Sequence, residues 1–191
     1  MKSHEMLSFI KSRFSPRAYS EKDILQSELD MIFEAATWAP SAMNAQPWRF
    51  LYARSGTEAY NKILSTLTAR NKLWAKSAPV LITTMITKNF EHDKSPYFHA
   101  MHDLGMALGN MNIQALSQNI YLHYMSGFDA QSLTDVMAVP SELQVISVIA
   151  AGYLGSDDRI PADLAESTNN HIRNRNRKPV NSIAFNGSFT G

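Results

Sequence analysis

Apolar positions recur along this chain with two periods, one helical and one strand-like, and the switches between them predict the elements. Leu29, Ile32, Phe33 and Ala36 follow helical spacing behind Ser27-Glu28-Leu29-Asp30, a stretch that resembles a capping box. Pro40 ends that helix, because proline disfavours helical backbone in the residue before it. A short helix is expected over residues 4–12, a strand over Trp48 to Ala53, and a helix around 57–68 followed by a loop. The unbroken run Val80-Leu81-Ile82-Thr83-Thr84-Met85-Ile86 reads as a buried strand. Residues 88–98 are polar and interrupted by Pro96, so they read as a loop.

The longest helix is expected over 99–118. Leu104, Leu108, Met111 and Ala115 line one face, and Gly105, Ala107 and Gly109 make another face small enough for a neighbouring helix to pack closely. Asn119 stands where a left-handed C-terminal cap belongs. Tyr121 to Met125 reads as a short strand, 130–137 as a small helix and Val145 to Tyr153 as a strongly apolar strand. Strands alternating with helices place the chain in the α/β or α+β class. No boundary interrupts the pattern, so residues 1–191 are expected to form a single domain. Residues 168–191 carry few apolar positions and read either as a frayed terminus or as an arm packed on a partner subunit.

Composition narrows the chemistry. The chain has no cysteine, which excludes disulfides, thiolate ligands and thiol nucleophiles. A net charge of +1 gives no long-range attraction to nucleic acid or membrane. The N-terminus lacks the apolar stretch of a signal peptide, and no run approaches the roughly 20 apolar residues of a membrane span. A soluble, cytoplasmic protein without membrane partners is expected.

The segment Ala39-Pro40-Ser41-Ala42-Met43-Asn44-Ala45-Gln46-Pro47-Trp48 combines hydroxyl and amide side chains with two prolines that restrict the backbone. It reads as a rigid polar shelf suited to the edge of a planar, hydrogen-bonding ring. Basic residues cluster in Arg13-Phe14-Ser15-Pro16-Arg17 and again at Arg173, Arg175, Arg177 and Lys178. In an extended chain the three alternate arginines project to one side, and arginines with a serine hydroxyl suit a phosphate. A solvated basic surface is the plainer reading of either cluster.

His92, His99, His102 and His123 lack any His-Glu-x-x-His pattern, so a metal is not expected. A Gly-x-Ser-x-Gly elbow, a P-loop and a Gly-x-Gly-x-x-Gly turn are all missing. Gly127-Phe128-Asp129 follows a strand, where glycine allows close backbone approach to a ligand or simply makes a turn. Chemistry without built-in metal, thiol or hydrolytic groups points to a borrowed cofactor.

The shelf resembles the Ala-Pro-Ser-x-x-Asn-x-Gln-Pro-Trp stretch of the nitroreductase family of FMN-dependent NAD(P)H oxidoreductases. Further similar pieces follow in family order: Arg13-Phe14-Ser15-Pro16-Arg17, Asn71-Lys72-Leu73-Trp74 with Ala78-Pro79-Val80, Asp103-Leu104-Gly105, His123 to Asp129, and Arg175-Asn176-Arg177-Lys178-Pro179. The resemblance implies a three-layer α+β fold with a central, mostly antiparallel sheet. It also implies an intertwined homodimer with FMN at the interface. Arg13, Ser15, Arg175 and Arg177 would hold the FMN phosphate. Arg17 would sit at the pyrimidine edge, with Asn71 or Lys72 nearby. Ser41, Asn44 and the backbone at Pro40 and Ala42 would approach from the other subunit, while Met125, Ser126 and Gly127 would flank the reactive nitrogen. Gln46, Pro47 and Trp48 would brace the shelf, and Phe90, Tyr97 and Phe98 are candidates either for the substrate side or for core packing.

The implied reaction is ping-pong transfer from NADH or NADPH through FMN to a nitroaromatic, quinone or similar small-molecule acceptor. Metabolite dehydrogenation, dehalogenation and flavin breakdown stand as alternatives. A non-enzymatic module with a nucleic-acid-binding tail is disfavoured, because no basic stripe is interleaved with aromatics.

Overall fold

The computed structural model describes residues 6–165 and 175–189. In chain order the elements are α1 (Ser8–Ser12), α2 (Gln26–Thr37), β1 (Trp48–Arg54), α3 (Glu58–Thr66), α4 (Ala69–Ala75), β2 (Val80–Thr87), α5 (Ala100–Ser117), β3 (Ile120–Met125), α6 (Ala130–Val136) and β4 (Leu143–Tyr153). The strands form one sheet in the order β1-β2-β4-β3, and every neighbouring pair is antiparallel. This is the α+β, three-layer arrangement expected from the sequence.

Side-chain alternation along β2 and β4 divides the core in two. Val80, Ile82, Ile86, Ile149 and Ala151 face a layer built from α2 and α5, where Leu29, Ile32, Leu104, Ala107 and Met111 are buried. Leu81, Met85, Val148 and Ala150 face the other layer, with Tyr60 and Ile63 of α3, Trp74 of α4 and Leu133 of α6. The β2–β4 register shifts between Thr84 and Met85, which lie opposite Ser147 and Val145. Ile146 is the extra residue of that bulge and packs on the first core, so Val145 and Val148, three positions apart, both reach the second.

Helix α2 starts slightly earlier than the sequence pattern suggests. Its N-cap is Leu25, which has no side-chain acceptor, and Glu28 closes the first turn by accepting the Leu25 amide at 2.8 Å. The other Glu28 oxygen accepts the Tyr153 hydroxyl at 2.5 Å, tying α2 to the end of β4. Helix α4 occupies part of a stretch expected to be loop. Only Trp74 and Ala75 in it are buried, too few to reveal a helical period. Asn119 adopts φ +60° after α5, as its position predicts. A Cβ built on Gly105 or Gly109 would meet nothing within 4 Å beyond its own helix backbone, whereas Ala107 is buried in the first core. Of the small residues of α5, only the glycine positions are therefore left uncovered by another helix of the same chain among the described residues.

Candidate functional site

The loop Arg13–Arg17 lies along β3, an edge of the sheet. It is held at its C-terminal end where the Gly155 amide donates to the Ala18 carbonyl at 3.1 Å and the Ser20 amide donates to Tyr153 at 3.0 Å. A Cβ on Gly155 would come within 2.6 Å of the Tyr19 backbone, so only glycine permits that approach. His123 of β3 fixes the middle of the loop by hydrogen bonding through Nδ1 to the Pro16 carbonyl at 2.7 Å. A carbonyl only accepts, so Nδ1 carries the proton. The His123 ring stacks on Trp74 of α4 with centroids 4.2 Å apart, and Phe14 packs on Tyr121 at 4.9 Å. Burial pushes the His123 imidazole down to about 4, and the Arg17 and Arg13 guanidiniums push the same way against the Pro16 bond.

Arginines from both ends of the chain meet at this loop. Arg175 donates to the carbonyls of Arg13 and Lys11, so the C-terminal segment returns to its own chain's N-terminal loop. Arg13 points at the Ser15 hydroxyl at 3.3 Å. Its pKa is lowered by burial and then by Arg175 and Arg177. None of the three pairs with a carboxylate among the described residues. Three guanidiniums and a hydroxyl gathered without a counter-anion form a site suited to a phosphate. Arg173 lies outside the described residues.

Arg17 forms a second positive centre with Arg70, whose charge lowers the Arg17 pKa after burial. Arg70 escaped the sequence reading because its helix, α4, did. The next residue, Asn71, donates from its amide to the Gly127 carbonyl at 3.0 Å, and the Thr68 amide reaches the same oxygen at 3.0 Å. A Cβ on Gly127 would lie 2.7 Å from the Asn71 amide nitrogen. Of Asn71 and Lys72, it is Asn71 that is fastened to the 125–127 segment. Met125 is buried at the end of β3, while Ser126 is exposed.

The shelf stands at the opposite edge of the sheet, leading into β1. Its turn contains three non-glycine residues with positive φ, namely Met43 at 54°, Asn44 at 55° and Gln46 at 46°. The Ala42 amide donates to Asp103 of α5 at 2.9 Å, and the Gln46 amide donates to the Ser41 hydroxyl at 3.0 Å. The Gln46 side chain reaches Asn44, and Arg49 holds the carbonyls of Gln46 and Trp48 while pairing with Glu91 at 2.9 Å. Pro40 is exposed in front of this turn. Among the described residues no hydrogen bond joins the shelf to the Arg13–Arg17 loop of the same chain.

Of the loop aromatics, Tyr97 is buried and stacks on Phe90 at 4.0 Å, whereas Phe98 is 87% exposed. His92 lies 3.4 Å from Asp93 and His102 lies 3.0 Å from Asp103. No three His, Asp or Glu side chains converge as a metal site among the described residues.

This antiparallel three-layer fold, with an arginine cluster at one sheet edge and a polar shelf at the other, matches known proteins closely. Residues 10–153 match the model of the nitroreductase family. A solved structure of an oxidoreductase containing FMN superposes with a TM-score of 0.90 at 30% identity, covering 100% of this chain and 96% of the other. A nitroreductase family protein from Streptococcus pneumoniae shares the fold with a TM-score of 0.73 at 19% identity, over 93% of this chain and 98% of its own. An Archaeoglobus fulgidus protein, provisionally named an NADH dehydrogenase/NAD(P)H nitroreductase, is 28% identical over 78% of this chain and 85% of its own length. The chain belongs to the nitroreductase family.

Proposed function

We propose that this chain is an FMN-dependent oxidoreductase that takes reducing equivalents from NADH or NADPH and passes them to a small acceptor such as a nitroaromatic or a quinone. The observation that carries the reading is the gathering of Arg175 and Arg177 around Arg13, which points at Ser15, with no carboxylate paired to them among the described residues. That donor set fits a phosphate monoester, and the FMN-containing structural relative supports its identity. When bound, FMN supplies the electron transfer that the side chains of this protein do not provide.

The protein's part is position and field. Arg13 and Arg177 bind the phosphate, and Arg175 anchors the C-terminal segment that carries Arg177. Arg17 and Arg70 present positive charge to the pyrimidine edge, favouring the ring's reduced, anionic form. Asn71 holds the Gly127 carbonyl inward, so Met125, Ser126 and Gly127 form a fixed wall for the reacting edge.

A homodimer accompanies this reading. The shelf and the arginine loop belong to opposite edges of one sheet, so a flavin on the arginines meets a shelf supplied by a second copy. Trp38, 79% exposed beside Met31 in a groove between α2 and α5, and the unfilled glycine face of α5 provide apolar surface for that contact.

The test is the absorption spectrum of purified protein without air, before and after NADH and then NADPH. A flavin spectrum bleached by either nucleotide, with rapid reoxidation by quinone or nitroaromatic, is expected. Bleaching followed by slow turnover with every such acceptor would move the assignment to dehydrogenation, dehalogenation or flavin breakdown. A colourless protein that takes up no added FMN overturns the reading.

A further inference from the structure

The shelf turn is strained, and something must hold it. Positive φ is a costly backbone conformation for a non-glycine residue, and three such residues fall within the four residues Met43, Asn44, Ala45 and Gln46. Such a turn persists only where its surroundings over-determine it.

The restraint comes from α5 and the loop before it. Asp103, 3% exposed, accepts from the Ala42 amide at 2.9 Å and the Tyr97 hydroxyl at 2.6 Å through the same oxygen, Oδ2. Its other oxygen meets His102 Nδ1 at 3.0 Å on the outer side. Tyr97 is locked by its stack on Phe90, and its hydroxyl also reaches the Ala42 carbonyl at 3.2 Å. The Ser41 oxygen accepts the Gln46 amide.

Donor and acceptor roles in this chain follow from Asp103. Burial alone would favour its protonated form, but the bonds from His102, Tyr97 and Ala42 outweigh burial and hold it ionised. An ionised carboxylate only accepts, so Tyr97 gives its single proton to Asp103. The Ala42 carbonyl shares that proton at 3.2 Å, so Asp103 and Tyr97 together hold both backbone polar groups of Ala42. The carboxylate thereby fixes the shape of the shelf beside Ser41.

We propose that Asp103, acting through Tyr97 and the backbone of Ala42, is a positioning residue that fixes the shelf turn, and with it Ser41, for the flavin ring. The inference rests on the FMN reading above. Asp103 sits behind the shelf and its role is exerted only through Ala42 and Tyr97.

The test is titration of the full-length apoprotein with FMN and with riboflavin, which lacks the phosphate. Asp103→Ala should weaken both ligands by the same factor, about tenfold or more, since it strands buried donors. Asp103→Asn keeps an acceptor oxygen and should restore most of the loss. Tyr97→Phe retains the ring stack and the fold, and should weaken both ligands several-fold. Adding Tyr97→Phe to Asp103→Ala should cost nothing further, because the two act as one unit. Arg177→Ala should instead weaken FMN alone. Wild-type affinity for both flavins in Asp103→Ala and Tyr97→Phe overturns the inference, as do additive effects of the two changes. A wild-type protein that binds neither flavin overturns the FMN reading and this inference together.

Discussion

His123 shows how much one half-buried side chain can organise. It bonds the Pro16 carbonyl and stacks on Trp74, and burial and then the two nearby guanidiniums favour the neutral ring against the opposing pull of the Pro16 bond. The unfolded chain takes up the proton near pH 6.5, while the folded chain resists it down to about 4. Its contribution is therefore complete above the unfolded value and falls away as pH drops from 6.5 to 4, by roughly 3 kcal/mol for this group alone. Urea midpoints measured between those limits should show this slope in the wild type. His123→Asn retains a donor for Pro16 but does not titrate, and should flatten the slope. An undiminished slope in the variant would assign the effect to other groups. In the sequence this histidine was one of several without a ligand pattern, because its partners Pro16 and Trp74 are far from it along the chain.

At the scale of elements, regular structure was most legible where a face is buried over many residues. Helices α2 and α5 and strands β2 and β4 carry long apolar patterns and lie within a few residues of their expected bounds. Helix α4 was missed because one turn of buried residues leaves no period to read, and with it went Arg70. The start of α2 is instructive in another way. Glu28 caps the helix and also accepts the Tyr153 hydroxyl, a contact across 125 positions of chain. Glu28→Ala should therefore cost about 1–2 kcal/mol, more than a helix cap in isolation commonly contributes. Denaturant unfolding of the variant beside Tyr153→Phe checks this. If the two changes add fully, the Glu28–Tyr153 bond contributes nothing to stability, and non-additivity measures what it does contribute.

At the scale of the whole molecule, the proposed site is complete only across two copies. Light scattering should give a mass twice that of the 21.4 kDa chain. Trp38→Lys places a charge in the groove between α2 and α5 and should shift the protein toward monomer, with FMN retention falling in parallel. An unchanged dimer mass would place the contact on another face. A monomer that retains FMN as well as the wild type would mean that the shelf of a second copy is not needed.

The order and kind of the major elements, the phosphate-suited residues and the shelf were determined by local pattern, because burial periodicity, proline placement and residue chemistry are written in adjacent positions. The tertiary structure decided which groups meet. It brought Arg175 and Arg177 to Arg13 across more than 160 positions of chain. It fastened Asn71 to Gly127 and seated Asp103 behind Ala42. It also turned Tyr97 inward, where the sequence had offered it for substrate contact. Such long-range contacts depend on strand order and register, which carry no local signature. Only the packed sheet, with the arginine loop at one edge and the shelf at the other, fixes where those residues lie.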